Sequence, residues 1–182
     1  MEHKGTIRLE TDRLILRRFT IDDVDGAFNN WTSSDEVTKF LRWPTHKDKG
    51  VTTWVLNDWI SHYDDKEFYQ WAIELKELGE PVGSIGVVEM SNETSKFHIG
   101  YCIGPKWWRK GITSEALREV MNFLFDEVGA NRIESMHDPN NPNSGNVMKK
   151  CGLKYEGTMK QADFNNQGIV DAAMYGLIKS ER

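Results

Sequence analysis

The chain has 182 residues, enough for one domain with its own core, and its composition of 38% hydrophobic and 28% charged residues is ordinary for a folded domain. A formal net charge of −5 gives no reason to expect nucleic-acid binding. The two cysteines form no CxxC pair, and no stretch approaches the roughly 18 apolar residues of a membrane-spanning helix. The start lacks the apolar region of a signal peptide, so we expect a single cytoplasmic domain over residues 1–182 with no membrane partner.

The first half of the chain predicts one strand, a helical region and three further strands. Residues 7–19 have the period-two pattern of a strand, and Thr20 with Asp23 resembles a helix-starting cap. A short helix is expected after Ser34, and Thr45 is expected to cap a longer one. Three antiparallel strands separated by turn signals follow at 68–75, 82–90 and 96–103.

The second half carries the clearest helical pattern. Apolar residues in 113–128 recur at i, i+3, i+4, i+7, i+8 and i+11 and form one stripe, which Gly129 ends. A strand at 132–136, a polar loop and a short helix ending near Gly152 come next. Two last strands are expected at 153–164 and 169–179. The order β-α-α-β-β-β-α-β-α-β-β predicts the α/β class with a mixed sheet.

The segment 104–116 has the features of a phosphate site. A strand ends, a Gly-Pro break follows, and Arg109 and Lys110 precede Gly111 at the start of a helix. The first amides of a helix have no internal partner, and the helix dipole adds partial positive charge there. Thr113 and Ser114 add hydroxyl groups. The segment matches neither GxxxxGK[ST] nor GxGxxG, and on spacing alone a plain capped helix remains the alternative.

Seven stretches, in order along nearly the whole chain, resemble the GNAT acetyltransferase superfamily and, more closely, its Rim-type ribosomal-protein N-terminal acetyltransferases. They are Leu9–Arg17, Ile99–Tyr101, Trp108–Leu117, Arg132–Glu134, Asp138–Ser144, Lys150–Leu153 and Tyr155–Gly157. Two positions depart from the superfamily pattern. Trp108 stands where Gln or Arg is frequent, and Thr113 stands where Gly or Ala is usual.

The resemblance implies a GNAT-like fold whose sheet splays into a V between the strand ending at Ile103 and the strand ending near Met136. It implies acetyl-CoA as co-substrate, no metal, and a primary amine as acceptor. Pantetheine would pair with a strand edge, as an added strand does, and the pyrophosphate would meet the amides of 109–114. The implied acetyl-CoA contacts are Tyr101, Ile103, Trp108, Arg109, Lys110, Gly111, Ile112, Thr113, Ser114, Asn141 and Lys150.

The resemblance also suggests the catalytic residues. Many GNAT enzymes carry a proton-donating tyrosine seven residues after the loop asparagine, where this chain has Met148. The Rim-type pattern instead implies Ser144 as donor to the thiolate, and a helix N-cap is the alternative. Asp163 is the implied base, and the alternative is a solvated aspartate at the end of a strand. His98 is a rival base because its ordinary pKa suits proton transfer, and a partly buried structural histidine is its alternative.

Three functions remain open at this point. The leading one acetylates the N-terminal amine of a protein, such as a ribosomal protein. The second acetylates a small amine such as an antibiotic, a polyamine or an amino acid, and the third is a CoA-binding module that has lost catalysis. A homodimer is expected only by analogy. Candidate walls of the acceptor groove, with helix packing as their alternative, are Trp31, Phe40, Leu41, Arg42, Trp43 and Trp54.

Overall fold

A computed structural model describes residues 1–182 and contains one eight-stranded sheet in the order β1-β2-β3-β4-β5-β6-β8-β7. All neighbouring strands are antiparallel except β5 and β6, which are parallel. The mixed sheet predicted from the sequence is therefore confirmed. The strands are β1 (Leu9–Glu10), β2 (Leu14–Arg17), β3 (Gln70–Leu75), β4 (Glu80–Ser91), β5 (Lys96–Ile103), β6 (Arg132–His137), β7 (Lys154–Asn165) and β8 (Gly168–Ile178).

Five α-helices connect the strands, and each helix expected along the sequence is present. The first half therefore has three helices, where the predicted order of elements counts two. Two of the five continue as π-helical turns, at Phe28–Thr32 and Leu124–Val128. The helices are α1 (Val24–Ala27), α2 (Asp35–Thr38), α3 (Lys49–His62), α4 (Ile112–Phe123) and α5 (Pro142–Lys150). None of them is long and apolar enough to cross a membrane.

Two local predictions were wrong. The single strand over 7–19 is instead the hairpin β1–β2, because the Leu14 amide donates to Thr11 Oγ1 at 3.0 Å and the chain turns between them. Thr45 does not cap α3. Its hydroxyl donates to Asp35 at 2.5 Å, and Asp48 caps the helix by accepting from the Val51 amide at 3.2 Å.

The core lies on both faces of the sheet. Helices α4 and α5 cover one face over a cluster of 28 buried residues, and α1 and α3 cover the other over a smaller cluster of seven. The predicted apolar stripe is confirmed, since every member is buried within the larger cluster. Its members are Leu117, Val120, Met121, Leu124, Phe125 and Val128. Gly129 ends this helix in the left-handed conformation, with φ of 87°.

The sheet opens between its only parallel pair of strands. β5 and β6 are paired at three positions, the last of which joins His98 to Glu134. Just beyond, the Ser135 hydroxyl donates to the Ile99 carbonyl at 2.7 Å, and the strands then separate. The rest of β5 up to Ile103 has no strand partner on this side. The splayed sheet is therefore as predicted.

Candidate functional site

A cleft of about 870 Å³ lies at the end of β5, beyond its last pair with β6, and reaches the start of α4, helix α5 and residues 36–41. We call it the cleft throughout. Eleven of the predicted site residues line it: Tyr101, Ile103, Trp108, Arg109, Gly111, Ile112, Thr113, Ser114, Asn141, Ser144 and Lys150. Lys110, His98 and Asp163 do not.

The loop before α4 presents an unbroken run of free backbone donors. The six amides of residues 109–114 donate no hydrogen bond to any other backbone group of the protein. Arg109 and Gly111 both adopt positive φ, 59° and 77°, which curves the backbone around a concave surface. Such a run of amides at a helix N-terminus binds anions, and none of residues 108–114 is acidic. We call residues 108–111 and the first turn of α4 the anion loop.

Trp108 has a structural role that its departure from the superfamily pattern did not reveal. Its indole Nε1 donates to the carbonyl of Ile103 at 2.9 Å, which fastens the anion loop to the end of β5. This hydrogen bond uses one lone pair of the carbonyl expected to pair with pantetheine. The other lone pair remains, since a backbone carbonyl accepts two hydrogen bonds.

Ser144 and Tyr101 meet inside the cleft. The Ser144 hydroxyl donates to the Tyr101 hydroxyl at 3.2 Å, and the Tyr101 hydroxyl donates to the Ser144 carbonyl at 2.9 Å. Burial raises the pKa of Tyr101 well above its ordinary value, so the phenol stays protonated. Helix α5 begins at Pro142 with Asn141 at the N-cap position, so the alternative of Ser144 as an N-cap is wrong. Met148 is fully buried in the core.

Asp163 lies on β7, outside the cleft, and is held by Arg42. One carboxylate oxygen, Oδ1, accepts from Arg42 Nε at 2.9 Å and from Nη2 at 2.6 Å, whereas Oδ2 accepts no hydrogen bond. The guanidinium also lies 5.3 Å from the centre of the Phe164 ring. The alternative of a freely solvated aspartate is therefore wrong, because only 16% of this side chain is exposed.

The tip of the β7–β8 hairpin is tied to the segment that forms one end of the cleft. The Asn166 side-chain amide donates to the carbonyls of Thr38 and Trp43, both at 2.8 Å, and its backbone amide donates to the Leu41 carbonyl at 3.1 Å. Leu41 lines the cleft. The hairpin that carries Asp163 thus lies directly beside that end.

His98 lies on β5 at the last paired position before the opening. Burial lowers its pKa, although Glu134 lies 3.5 Å away and acts in the opposite direction. Glu134 also accepts from Lys96 at 2.9 Å and from Arg132 at 2.7 Å. These contacts favour the structural histidine over the rival base.

The remaining sequence predictions concern the walls and the cysteines. Phe40 and Leu41 line the cleft as expected, but Trp31 is buried in the smaller core cluster and Trp54 is exposed on α3, so neither lines it. Arg42 and Trp43 also lie outside the lining. Both cysteines are free thiols, and Cys102, which sequence reasoning did not place there, lines the cleft. Its position in the sequence between Tyr101 and Ile103 was the only feature that could have predicted this. No group of three or more metal-ligating side chains occurs.

The free amides and the open edge of β5 define a site for an anion beside an extended arm, and sequence comparison gives the family. The sequence profile described as "Acetyltransferase (GNAT) domain" matches residues 13–154. An uncharacterized N-acetyltransferase of Bacillus subtilis (strain 168), YoaA, is 30% identical over 171 residues, covering 94% of this chain and 96% of the relative. The chain belongs to the GNAT acetyltransferase family, as its motifs suggested.

Rim-type proteins are among the relatives. The ribosomal protein uS5-alanine N-acetyltransferase of Escherichia coli (strain K12) is 29% identical over 170 residues, covering 85% of this chain and 81% of the relative. The solved structure of RimL, a ribosomal L7/L12 alpha-N-protein acetyltransferase in complex with coenzyme A, superposes with a TM-score of 0.85 at 19% identity. That superposition covers 97% of this chain and all of the other, which establishes a shared fold.

Proposed function

We propose that this acetyltransferase transfers the acetyl group of acetyl-CoA to the N-terminal amine of a protein. The observation that supports acetyl-CoA most directly is the run of six free amides in the anion loop, beside a cleft that follows the unpaired end of β5. A diphosphate needs several converging donors, and an extended pantetheine arm needs an unpaired strand edge. Both features occur here, one next to the other.

The anion loop binds the pyrophosphate through its amides. Arg109 and Lys150 line the same cleft and add positive charge, and Lys110 adds charge from outside the lining. Pantetheine lies along the unpaired edge of β5, beside Tyr101 and Ile103. This arrangement directs the thioester toward the start of α5, where Ser144 and Asn141 line the cleft.

Two residues handle protons in the transfer step. Asp163 accepts the proton of the incoming ammonium through Oδ2, directly or through one water, while Arg42 stays on Oδ1. The neutral amine attacks the thioester carbonyl, the carbon–sulfur bond breaks, and the Ser144 hydroxyl gives its proton to the departing thiolate. Tyr101 holds the Ser144 side chain in place through their hydrogen bond, and the Ser144 O–H rotates from the Tyr101 oxygen to the sulfur when it donates.

The acceptor enters at the end of the cleft formed by residues 36–41. Phe40 and Leu41 provide an apolar wall, and Glu36 and Lys39 line the same end with opposite charges. A protein N-terminus as acceptor is supported by the uS5-alanine N-acetyltransferase among the relatives. The cytoplasmic location and the homodimer remain predictions, which cell fractionation and size-exclusion chromatography would check.

Two experiments test the proposal. Thermal unfolding with and without acetyl-CoA tests the co-substrate, since saturation at about 100 times Kd adds roughly 2.7 kcal/mol of stability. No shift at millimolar acetyl-CoA would overturn acetyl-CoA binding. Thiol release with matched peptides, one with a free and one with a blocked N-terminus, tests the acceptor. We expect turnover with the free peptide only, whereas turnover with small amines alone would contradict a protein acceptor.

A further inference from the structure

Arg13 joins the β1–β2 turn to the anion loop, although the two are about 100 residues apart in the sequence. Its Nε and Nη2 contact Glu115 Oε2 at 2.7 and 2.6 Å, and its backbone amide donates to Glu115 Oε1 at 3.1 Å. Its Nη1 donates to the carbonyl of Lys110 at 3.0 Å. One side chain therefore binds both the first turn of α4 and the backbone of the loop that precedes it.

Glu115 places a carboxylate beside the proposed anion site. It lies in the first turn of α4, where an unpaired carboxylate would repel the diphosphate that the free amides attract. Burial alone would raise the pKa of Glu115, but hydrogen bonds from Thr11 and Arg13 together lower it below its ordinary value. The carboxylate is therefore charged, and its charge is balanced by Arg13.

The hydrogen bond to Lys110 sets the direction of a neighbouring amide. In a trans peptide the carbonyl of one residue and the N–H of the next point in opposite directions. Because the Lys110 carbonyl faces Arg13, the Gly111 N–H faces away from Arg13. Gly111 lines the cleft and Lys110 does not, so the free amide is on the side where an anion would bind.

We propose that Arg13 is a positioning residue for the diphosphate of acetyl-CoA: it balances the charge of Glu115 and holds the Lys110–Gly111 peptide with its N–H toward the ligand. The inference rests on the proposed binding of acetyl-CoA at the anion loop. It gives a role to the Leu9–Arg17 stretch, which the transfer step does not otherwise use.

The test compares two thioesters that differ in their phosphates. Arg13→Met is expected to raise the Kd of acetyl-CoA about tenfold in calorimetry, and to leave kcat at saturating acetyl-CoA unchanged. The kcat/KM for S-acetylpantetheine, which lacks the diphosphate, is expected to stay within twofold of the wild-type value. Arg8→Met is the matched control, because Arg8 lies in the same N-terminal region, pairs only with Glu10 and does not contact the loop.

Two further variants separate the contributions. Arg13→Lys keeps the positive charge but replaces the guanidinium that spans Glu115 and Lys110, so its Kd should lie between those of the wild type and Arg13→Met. Arg13→Lys also tests the role of Arg13 if Arg13→Met fails to fold. Adding Glu115→Gln to Arg13→Met removes the unbalanced charge and should recover part of the lost affinity. A double variant that binds no better than Arg13→Met would overturn the electrostatic role.

The outcomes also distinguish this inference from the proposed function. If the wild type does not bind acetyl-CoA, the proposed function fails and the inference fails with it. If the wild type binds and Arg13→Met binds equally well, only the role of Arg13 is refuted. Equal losses for acetyl-CoA and S-acetylpantetheine would indicate general damage to the fold and would likewise refute it.

Discussion

The conformation of Gly111 allows a quantitative prediction for the anion loop. Its φ of 77° is in the left-handed region, which costs a residue with a Cβ atom roughly 1–2 kcal/mol. Space is not the obstacle, since the nearest atom to an added Cβ would be Arg13 Nη2 at 3.5 Å. In Gly111→Ala we therefore expect the unliganded loop to relax out of this conformation. Acetyl-CoA must then restore it, and because 1.4 kcal/mol corresponds to a factor of ten, its Kd should rise about tenfold.

Gly129→Ala is the matched control for this prediction. Gly129 also has a left-handed backbone, with φ of 87°, and an added Cβ would have only Met1 Cα within 4 Å, at 3.8 Å. It lies at the other end of the helical segment, away from the cleft. Urea denaturation should show up to about 1–2 kcal/mol of lost stability in this variant, with calorimetry giving an unchanged Kd for acetyl-CoA. Equal Kd values in the two alanine variants would refute the reasoning.

Three further predictions concern catalysis and pH. Ser144→Ala should lower kcat roughly 100-fold with little change in the Kd of acetyl-CoA, and full activity in a steady-state assay would exclude it as the donor. Asp163→Asn should lower kcat/KM for the acceptor by a similar factor. Asp171→Asn, on the neighbouring strand β8, is the control and should leave kcat/KM unchanged. Equal values of kcat/KM for the two variants at the same pH would argue against Asp163 as the base. Burial lowers the pKa of His98 from 6.5, so the folded state favours its neutral form and stability falls as the pH drops below about 6.5. His98→Gln should show a flatter stability–pH curve in urea titrations.

Sequence reasoning succeeded where the signal is local and long. Helix α4 was predicted correctly because six apolar residues repeat at helical spacing. Strand β5 was predicted over Lys96–Ile103, and both of its ends are correct. Sequence reasoning failed at the β1–β2 turn, because a threonine hydroxyl closes that turn in place of a glycine or proline. It failed at Thr45 because the helix begins only at Lys49, where Asp48 is the cap.

The candidate site was only partly predictable, for a related reason. The motifs gave the anion loop and most of the residues that line the cleft, since these are contiguous in the chain. The contacts that decide how side chains act join distant positions: Arg42 and Asp163 are 121 residues apart, and Tyr101 and Ser144 are 43 apart. Neither residue type nor spacing indicates such pairs. The partner of Asp163 in particular could be found only in the folded chain.

The three pairs that join β5 to β6 have a mechanical consequence. They divide the sheet into parts of five and three strands, joined within the sheet by the pairing of Lys96–His98 with Arg132–Glu134 and by the Ser135–Ile99 hydrogen bond. A pantetheine arm bound along residues 99–103 would give this open edge of β5 a strand-like partner. Occupancy should therefore slow hydrogen exchange at residues 99–103. Without such a partner, the two parts of the sheet are joined only near residues 96–99 and 132–135.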